Sequence, residues 1–256
     1  MNARALYAEA LERVVSKTSL VCACTFTCAP GRFTAIVGPN GAGKTSLLRA
    51  LAGLDRPTSG HVRLGDQDLH EMSWGALARQ RAVLLQRAGQ GFEYTVLQSV
   101  LMGAHARQSR WSMPSVSARQ RALEALGRVG LQGMGARAMG SLSTGEAQRV
   151  GWARLLMTQA PWWMLDEPLS NQDIKHQAQW MQTVGAHCAS GGGCVSILHD
   201  LNHVQRWADD VILMHQGHVV DVGPKADVLE EDRLEEIFGV TLERLEHEAR
   251  VWWAVR

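Results

Sequence analysis

The stretch Gly38-Pro39-Asn40-Gly41-Ala42-Gly43-Lys44-Thr45 constrains this chain more than any other. It fits the spacing G-x-x-x-x-G-K-[ST]. Before it, Arg32 to Val37 is a short, mostly apolar run that predicts a buried strand. After it, Leu47, Leu48 and Leu51 recur at helical spacing, and Gly53 supplies a stop. An ordinary glycine-rich turn would not need that context. Here the glycines let backbone N–H groups curl inward around phosphate oxygens, and the helix N-terminus adds partial positive charge. In such a loop Lys44 reaches the β/γ-phosphates of a nucleotide, and the Thr45 hydroxyl ligates Mg²⁺.

The chain has 256 residues, 46% of them hydrophobic, enough for one large domain or two small lobes. A net charge of +1 implies no global pull toward nucleic acid or membrane. No apolar run approaches the ~18–20 residues of a membrane span. Met1 to Leu6 lacks the apolar core of a secretory signal. The expectation is a soluble chain in the cytosol. There, Cys22, Cys24, Cys28, Cys188 and Cys194 do not predict a disulfide framework. The first three share parity in an expected strand, Val21 to Cys28. Their spacing matches no common zinc pattern, which favours small buried hydrophobes over ligands.

Along the chain, residues 1–37 read as β-rich and Asp55 to Gly60 as a turn. His61 to Leu64 with Gly65 to Leu69 reads as a strand and hairpin. Ala82 to Leu85 is a strand that delivers Gln86 at its end, where loops place polar groups over a nucleotide. Residues 88 to about 140 change to a helical pattern. In it, Ser117 to Gln120 reads as a capping-box start, and Ala122, Leu123, Leu126 and Val129 share a face before Gly130. Arginines 107, 110, 119, 121 and 128 fit a solvated face better than an anion site.

Leu142-Ser143-Thr144-Gly145-Glu146 then puts a serine and a glycine at a helix N-terminus, an anion-binding arrangement. Val150, Ala153 and Met157 form the buried face of that helix. Trp162 to Leu165 is an apolar strand ending in Asp166-Glu167. An acid there, facing a phosphate loop, can hold Mg²⁺ through water, and a second acid can act as general base. Ser170 to Asp173 is a loop. Cys194 to Leu198 is the strand of the last β-α unit, with His199 at its end, and Val211 to Met214 and His218 to Val222 flank Gln216-Gly217 as a hairpin. Trp152, Trp162, Trp163, Trp180 and Trp207 fall in core patterns, while Trp252 and Trp253 could serve the core or a contact.

Taken together, Gly38 to Thr45, Gln86, Leu142 to Glu146, Met164 to Glu167, Ser170 to Asp173 and His199 resemble the nucleotide-binding subunit of an ABC transporter. The match covers nearly the whole chain. It implies an α/β phosphate-loop NTPase (P-loop) of ABC type, with an antiparallel β subdomain and an inserted helical subdomain. One ATP-binding domain would fill residues 1–256. Its core would comprise 1–87 and 160–256, and its helical subdomain 88–159. The resemblance implies that Gly38, Pro39, Asn40, Gly41, Ala42, Gly43, Lys44, Thr45 and Ser46 hold ATP. It implies Mg²⁺ on Thr45, Gln86 and Asp166, Glu167 as the base, and His199 as the γ-phosphate contact. Ser143 and Gly145 would serve the ATP of a second copy in a sandwich dimer. Gln86 to Ser99 would dock a helix of an integral membrane permease at the cytoplasmic face of the inner membrane.

Two departures stand out. Thr144 replaces the first signature glycine, so a side chain enters a tight anion site. The position that usually stacks an aromatic on adenine falls near Arg13, whose guanidinium plane could stack instead. His199 to Asn202, Ala208-Asp209 and Arg81 to Gln86 are similar to importers of iron chelates, haem and cobalamin, which work indirectly with a periplasmic substrate-binding protein. No nucleic acid is expected. An exporter subunit, or a non-transport ABC ATPase acting on nucleic acid or ribosomes, remains the alternative.

Overall fold

The computed structural model describes residues 3–85, 94–107, 115–248 and 250–256. Its main sheet is built from β3 (Phe33–Val37), β6 (Arg81–Leu84), β7 (Trp162–Asp166), β8 (Gly193–Ile197), β9 (Asp210–His215) and β10 (His218–Pro224). The order is β10-β9-β3-β8-β7-β6. The five strands from β9 to β6 are parallel. β10 closes the edge antiparallel to β9. The turn between them, Gln216-Gly217, has both residues at positive φ (47° and 82°), the two-residue hairpin geometry that matches strand twist.

Alternation along these strands feeds two cores. Phe33, Ala35, Val37, Trp163, Leu165, Val211 and Leu213 enter one, whereas Ile36, Trp162, Met164, Ile212 and Met214 enter the other. Both faces are covered, which is why the strands read as unbroken apolar runs. The second core packs α1 (Lys44–Leu51) and α2 (Trp74–Gln80) with an antiparallel sheet. That sheet comprises β1 (Leu6–Val15), β2 (Thr18–Cys28), β4 (Ser59–Leu64) and β5 (Gln67–Asp68), ordered β2-β1-β4-β5. Cys22 and Cys24 are half-buried on β2, and Cys28 is buried at its end.

The first core packs α3 (Val96–Leu101), α4 (Val116–Arg128), α5 (Thr144–Thr158), α6 (Ile174–Ala189) and α7 (Leu201–Trp207). At its centre the rings of Trp152, Trp180, Trp163 and His187 form a parallel column. Trp152 and Trp180 lie 4.6 Å apart at 7°. The α/β fold with an antiparallel sheet and a helical insertion is therefore the one expected. The chain ends with α8 (Lys225–Val228), α9 (Glu231–Phe238) and a hairpin of β11 (Leu242–His247) and β12 (Arg250–Val255). Trp253 is buried in the core, while Trp252 is 40% exposed. Among the described residues no helix is long and apolar enough to cross a membrane.

Two local expectations need correcting. The N-cap of α4 is Ser115, whose hydroxyl accepts from the Ala118 N–H; Ser117 lies within the first turn and its hydroxyl pairs with that of Ser115. Leu123 is 42% exposed, and Ala118 and Ala125 complete the buried face instead. The starting point of the helix sets which residues face inward, so misplacing the cap by two residues misassigns the stripe.

Candidate active site

The loop after β3 is wedged between neighbouring backbones. Gly38 has φ +151° and Gly43 φ +95°. A Cβ at Gly38 would meet the Met214 carbonyl oxygen at 2.1 Å, and one at Gly43 the Leu20 carbonyl oxygen at 2.0 Å. Only glycine fits either position. The Gly217 N–H donates to the Ala42 carbonyl (3.1 Å) and steadies the crest of the loop. Lys44 begins α1 and is buried, and its Nζ donates to the carbonyls of Gly38 and Pro39 at 2.7 Å each. Burial lowers the Lys44 pKa, and the charges of Glu167 and Asp166 oppose that shift. Thr45 and Ser46 occupy the first turn of α1, and Asn40 and Gly41 belong to the loop that precedes it.

Parallel strands bring the remaining groups to the same edge of the sheet. β7 ends in Asp166, and Glu167 follows at φ +48°, a left-handed backbone that is costly for a non-glycine residue. Next to it, β8 leads to His199, whose Nε2 lies 2.6 Å from Glu167 Oε1. Burial and the neighbouring Glu167 charge raise the Asp166 pKa, against the pull of His199, Arg49 and Lys44. The structure therefore gathers Lys44, Asp166, Glu167 and His199 into one electrostatically coupled group. A cavity of about 200 Å³ opens beside Glu167, Ser170 and His199. Thr45 and Asp166 offer an all-oxygen donor set suited to a hard divalent cation. The crowding of two adjacent carboxylates is the feature that a cation would relieve.

The other expected residues lie apart from this group or outside the described residues. Ser143 caps α5 in a full capping box. Its hydroxyl accepts from the Glu146 N–H (3.2 Å), and Glu146 Oε2 accepts from the Ser143 N–H (2.8 Å). Ser143 and Gly145 thus sit at the start of a 15-residue helix, whose dipole favours an anion there, although the Glu146 N–H is already taken by the Ser143 hydroxyl. Arg13 donates through Nη1 to the Arg56 carbonyl (3.0 Å) and faces Asp55. Gln86 lies outside the described residues, as does the first part of the expected docking segment; its end, Val96 to Ser99, starts α3, with Val96, Leu97 and Ser99 buried and Gln98 exposed.

The sequence assigns no role of its own to Gln148, and places Gln172 only within the loop Ser170 to Asp173. Gln148 Nε2 reaches the carbonyls of Glu167 (3.2 Å) and Pro168 (3.0 Å) and Ser170 Oγ (3.3 Å). Gln172 Nε2 donates to the Gly145 carbonyl (3.0 Å) and to Gln148 Oε1 (3.2 Å). No local pattern signals either residue, because their partners lie on distant segments.

Comparison with known proteins follows the same outline. The family profile described as ABC transporter matches residues 22–170. The hemin import ATP-binding protein HmuV of Bordetella pertussis is 39% identical over 232 residues, covering 87% of each chain. Its counterpart in Jannaschia sp. is 37% identical over 248 residues, covering 93% of this chain and 88% of that one. Among solved structures, a metal-chelate type ABC transporter in an inward-facing conformation superposes with a TM-score of 0.81. It is 23% identical and covers 99% of this chain and 97% of that one. A dimeric ATP-binding cassette bound to ADP and phosphate gives 0.77 at 24% identity, covering 86% of this chain and 98% of that one. These two likenesses concern the fold.

Proposed function

This chain belongs to the ABC transporter family, and from that premise we propose that it is the ATP-hydrolysing subunit of an importer whose cargo is haemin. The observation that carries the ATPase reading is the gathering of Lys44, Asp166, Glu167 and His199 at one sheet edge. The cargo reading is supported by relatives at 37–39% identity that are named as hemin import ATP-binding proteins.

Each residue then has a physical task. The loop Gly38 to Thr45, with Ser46, surrounds the β/γ-phosphates with N–H groups. Lys44 exchanges the carbonyls of Gly38 and Pro39 for phosphate oxygens. Thr45 and Asp166, with Gln86, would hold Mg²⁺, which supplies charge neutralisation on the phosphates when bound. Glu167 accepts a proton from the attacking water at its carboxylate, and His199 at 2.6 Å fixes the orientation of that carboxylate. Arg13 would face the base with its planar guanidinium.

The N-terminus of α5 points to a second copy of the chain. Ser143, Gly145 and the first-turn N–H groups meet the γ-phosphate bound by the partner, so ATP is sandwiched and the dimer closes. Products that repel one another then reopen it, which is a two-state element able to drive a permease. The permease would dock along the segment that ends at Val96 to Ser99 and hold this chain at the cytoplasmic face of the membrane. A periplasmic binding protein would deliver cargo on the other side.

The test is transport. The chain is assembled with its permease in proteoliposomes carrying haemin and the cognate binding protein on one side and ATP on the other. ATP-dependent haemin movement that stops with Lys44→Ala is expected. ATP hydrolysis without haemin movement, but with movement of another cargo, would overturn the cargo assignment.

A further inference from the structure

Helix α5 and the loop after β7 are fastened together within one chain. A Cβ at Gly145 would meet the Asn171 carbonyl oxygen at 2.8 Å, so the two backbones approach as closely as glycine allows. Gln172 spans the junction, donating to the Gly145 carbonyl and to Gln148 Oε1. Gln148, one turn along α5, continues to the carbonyls of Glu167 and Pro168 and to the Ser170 hydroxyl. Gln177 on α6 ties the loop from the other side, donating to the carbonyls of Leu169 (3.2 Å) and Gln172 (3.1 Å). A further tie joins Arg149 Nη1 of α5 to His176 Nε2 of α6 at 2.7 Å.

Five of these bonds are half-buried and aim at backbone carbonyls, so they fix main-chain position and not merely side-chain packing. The end they reach is the carbonyl of Glu167 itself, the residue held at φ +48°. That backbone needs outside support, since a left-handed non-glycine residue persists only where its surroundings over-determine it.

We propose that Gln148 and Gln172 are positioning residues. They lock the Ser143–Gly145 turn, which one chain presents to its partner's nucleotide, to the Glu167 that serves its own. Closure at one nucleotide then sets the carboxylate at the other, through a rigid connection that either end can bias. This rests on the sandwich dimer proposed above. Both residues act through Glu167 and the turn, without contacting the phosphates.

The experiment compares Gln172→Leu, Gln148→Leu and the double variant in the full chain, by ATPase rate against ATP concentration and by melting temperature. Leucine keeps the bulk and removes the bonds. In Gln172→Leu, kcat is expected to fall roughly 5–20-fold, the loss of one or two oriented hydrogen bonds, while KM stays within about twofold. The Hill coefficient for ATP is expected to drop toward one, a readout that general loosening would not move selectively. The double variant is expected to be no worse than the more severe single one, because both cut the same connection. Gln172→Lys, which keeps a donor, is expected to recover part of the loss. Wild-type kcat and Hill coefficient in Gln172→Leu would overturn the proposal, as would single losses that multiply in the double variant. Sizing Glu167→Gln with ATP separates the two readings. Absence of an ATP-dependent dimer removes the premise and the inference with it, whereas a normal dimer with unaltered glutamine variants overturns the inference alone.

Discussion

His199 Nε2 lies 2.6 Å from Glu167 Oε1, the two residues arriving from the ends of adjacent parallel strands. Such a contact constrains the carboxylate. His199→Ala is therefore predicted to slow hydrolysis by about 10–10²-fold while leaving ATP affinity within a few-fold. Nucleotide titration alongside a turnover assay checks this, and parallel losses of binding and turnover would move His199 into the binding machinery.

Lys44 holds its ammonium inside the loop with two carbonyl contacts of 2.7 Å. Lys44→Ala removes the charge meant for the β/γ-phosphates and is predicted to weaken ATP binding by at least about 10²-fold. Calorimetric titration is the measurement. Unchanged affinity would contradict the phosphate-loop assignment.

Ser143 is exposed at the start of α5 and caps that helix in its own chain. Ser143→Arg is predicted to cost about 1 kcal/mol of stability through the lost cap. It is also predicted to leave monomer nucleotide binding intact and to block the closed dimer through bulk and charge. Sizing in a Glu167→Gln background with ATP reads the outcome. A normal dimer would argue against the proposed role of this turn.

The sequence was most informative where chemistry and local structure share a few consecutive residues. Gly38 to Thr45 encodes its own turn, its helix start and its charge, so loop and flanking elements were legible together. The apolar runs of β7 and β8 announced strands, and their ends placed Glu167 and His199 as candidates. Three things were not legible. Leu242 to His247 alternates too weakly to declare a strand, and it exists because β12 pairs with it and carries Trp253 into the core. Ser117 and Ser115 are both plausible caps in sequence, and only the bond to Ala118 chooses. Gln148 and Gln172 acquire meaning only when α5 meets the loop after β7, a contact that no period or propensity encodes.

Arg49, in the last turn of the helix that carries Lys44, pairs bidentately with Asp55 beyond its end, at 2.9 and 2.7 Å. The guanidinium hydrogen bonds hold the Asp55 carboxyl below its ordinary value, with burial opposing. A depressed folded-state pKa contributes stability above the unfolded value of about 4, and that contribution is lost as pH falls through the folded value. Both groups are partly exposed, so Asp55→Asn is predicted to cost only about 0.5–1 kcal/mol at neutral pH. The gap between variant and parent should narrow as pH drops below about 4 in denaturant titrations. A gap that widens instead would show that Asp55 acts through something other than its charge.

Glu167 is proposed as the general base of a hydrolysis that occurs inside an ATP-closed dimer. Glu167→Gln keeps shape and hydrogen bonding while removing the proton acceptor. The direct measurement is ATPase rate and dimer fraction, with ATP and Mg²⁺, for Glu167→Gln and Lys44→Ala side by side. The account predicts that Glu167→Gln binds ATP, hydrolyses it about 10²–10⁴-fold more slowly and accumulates as dimer, while Lys44→Ala stays monomeric. Hydrolysis by Glu167→Gln at the parent rate would contradict it.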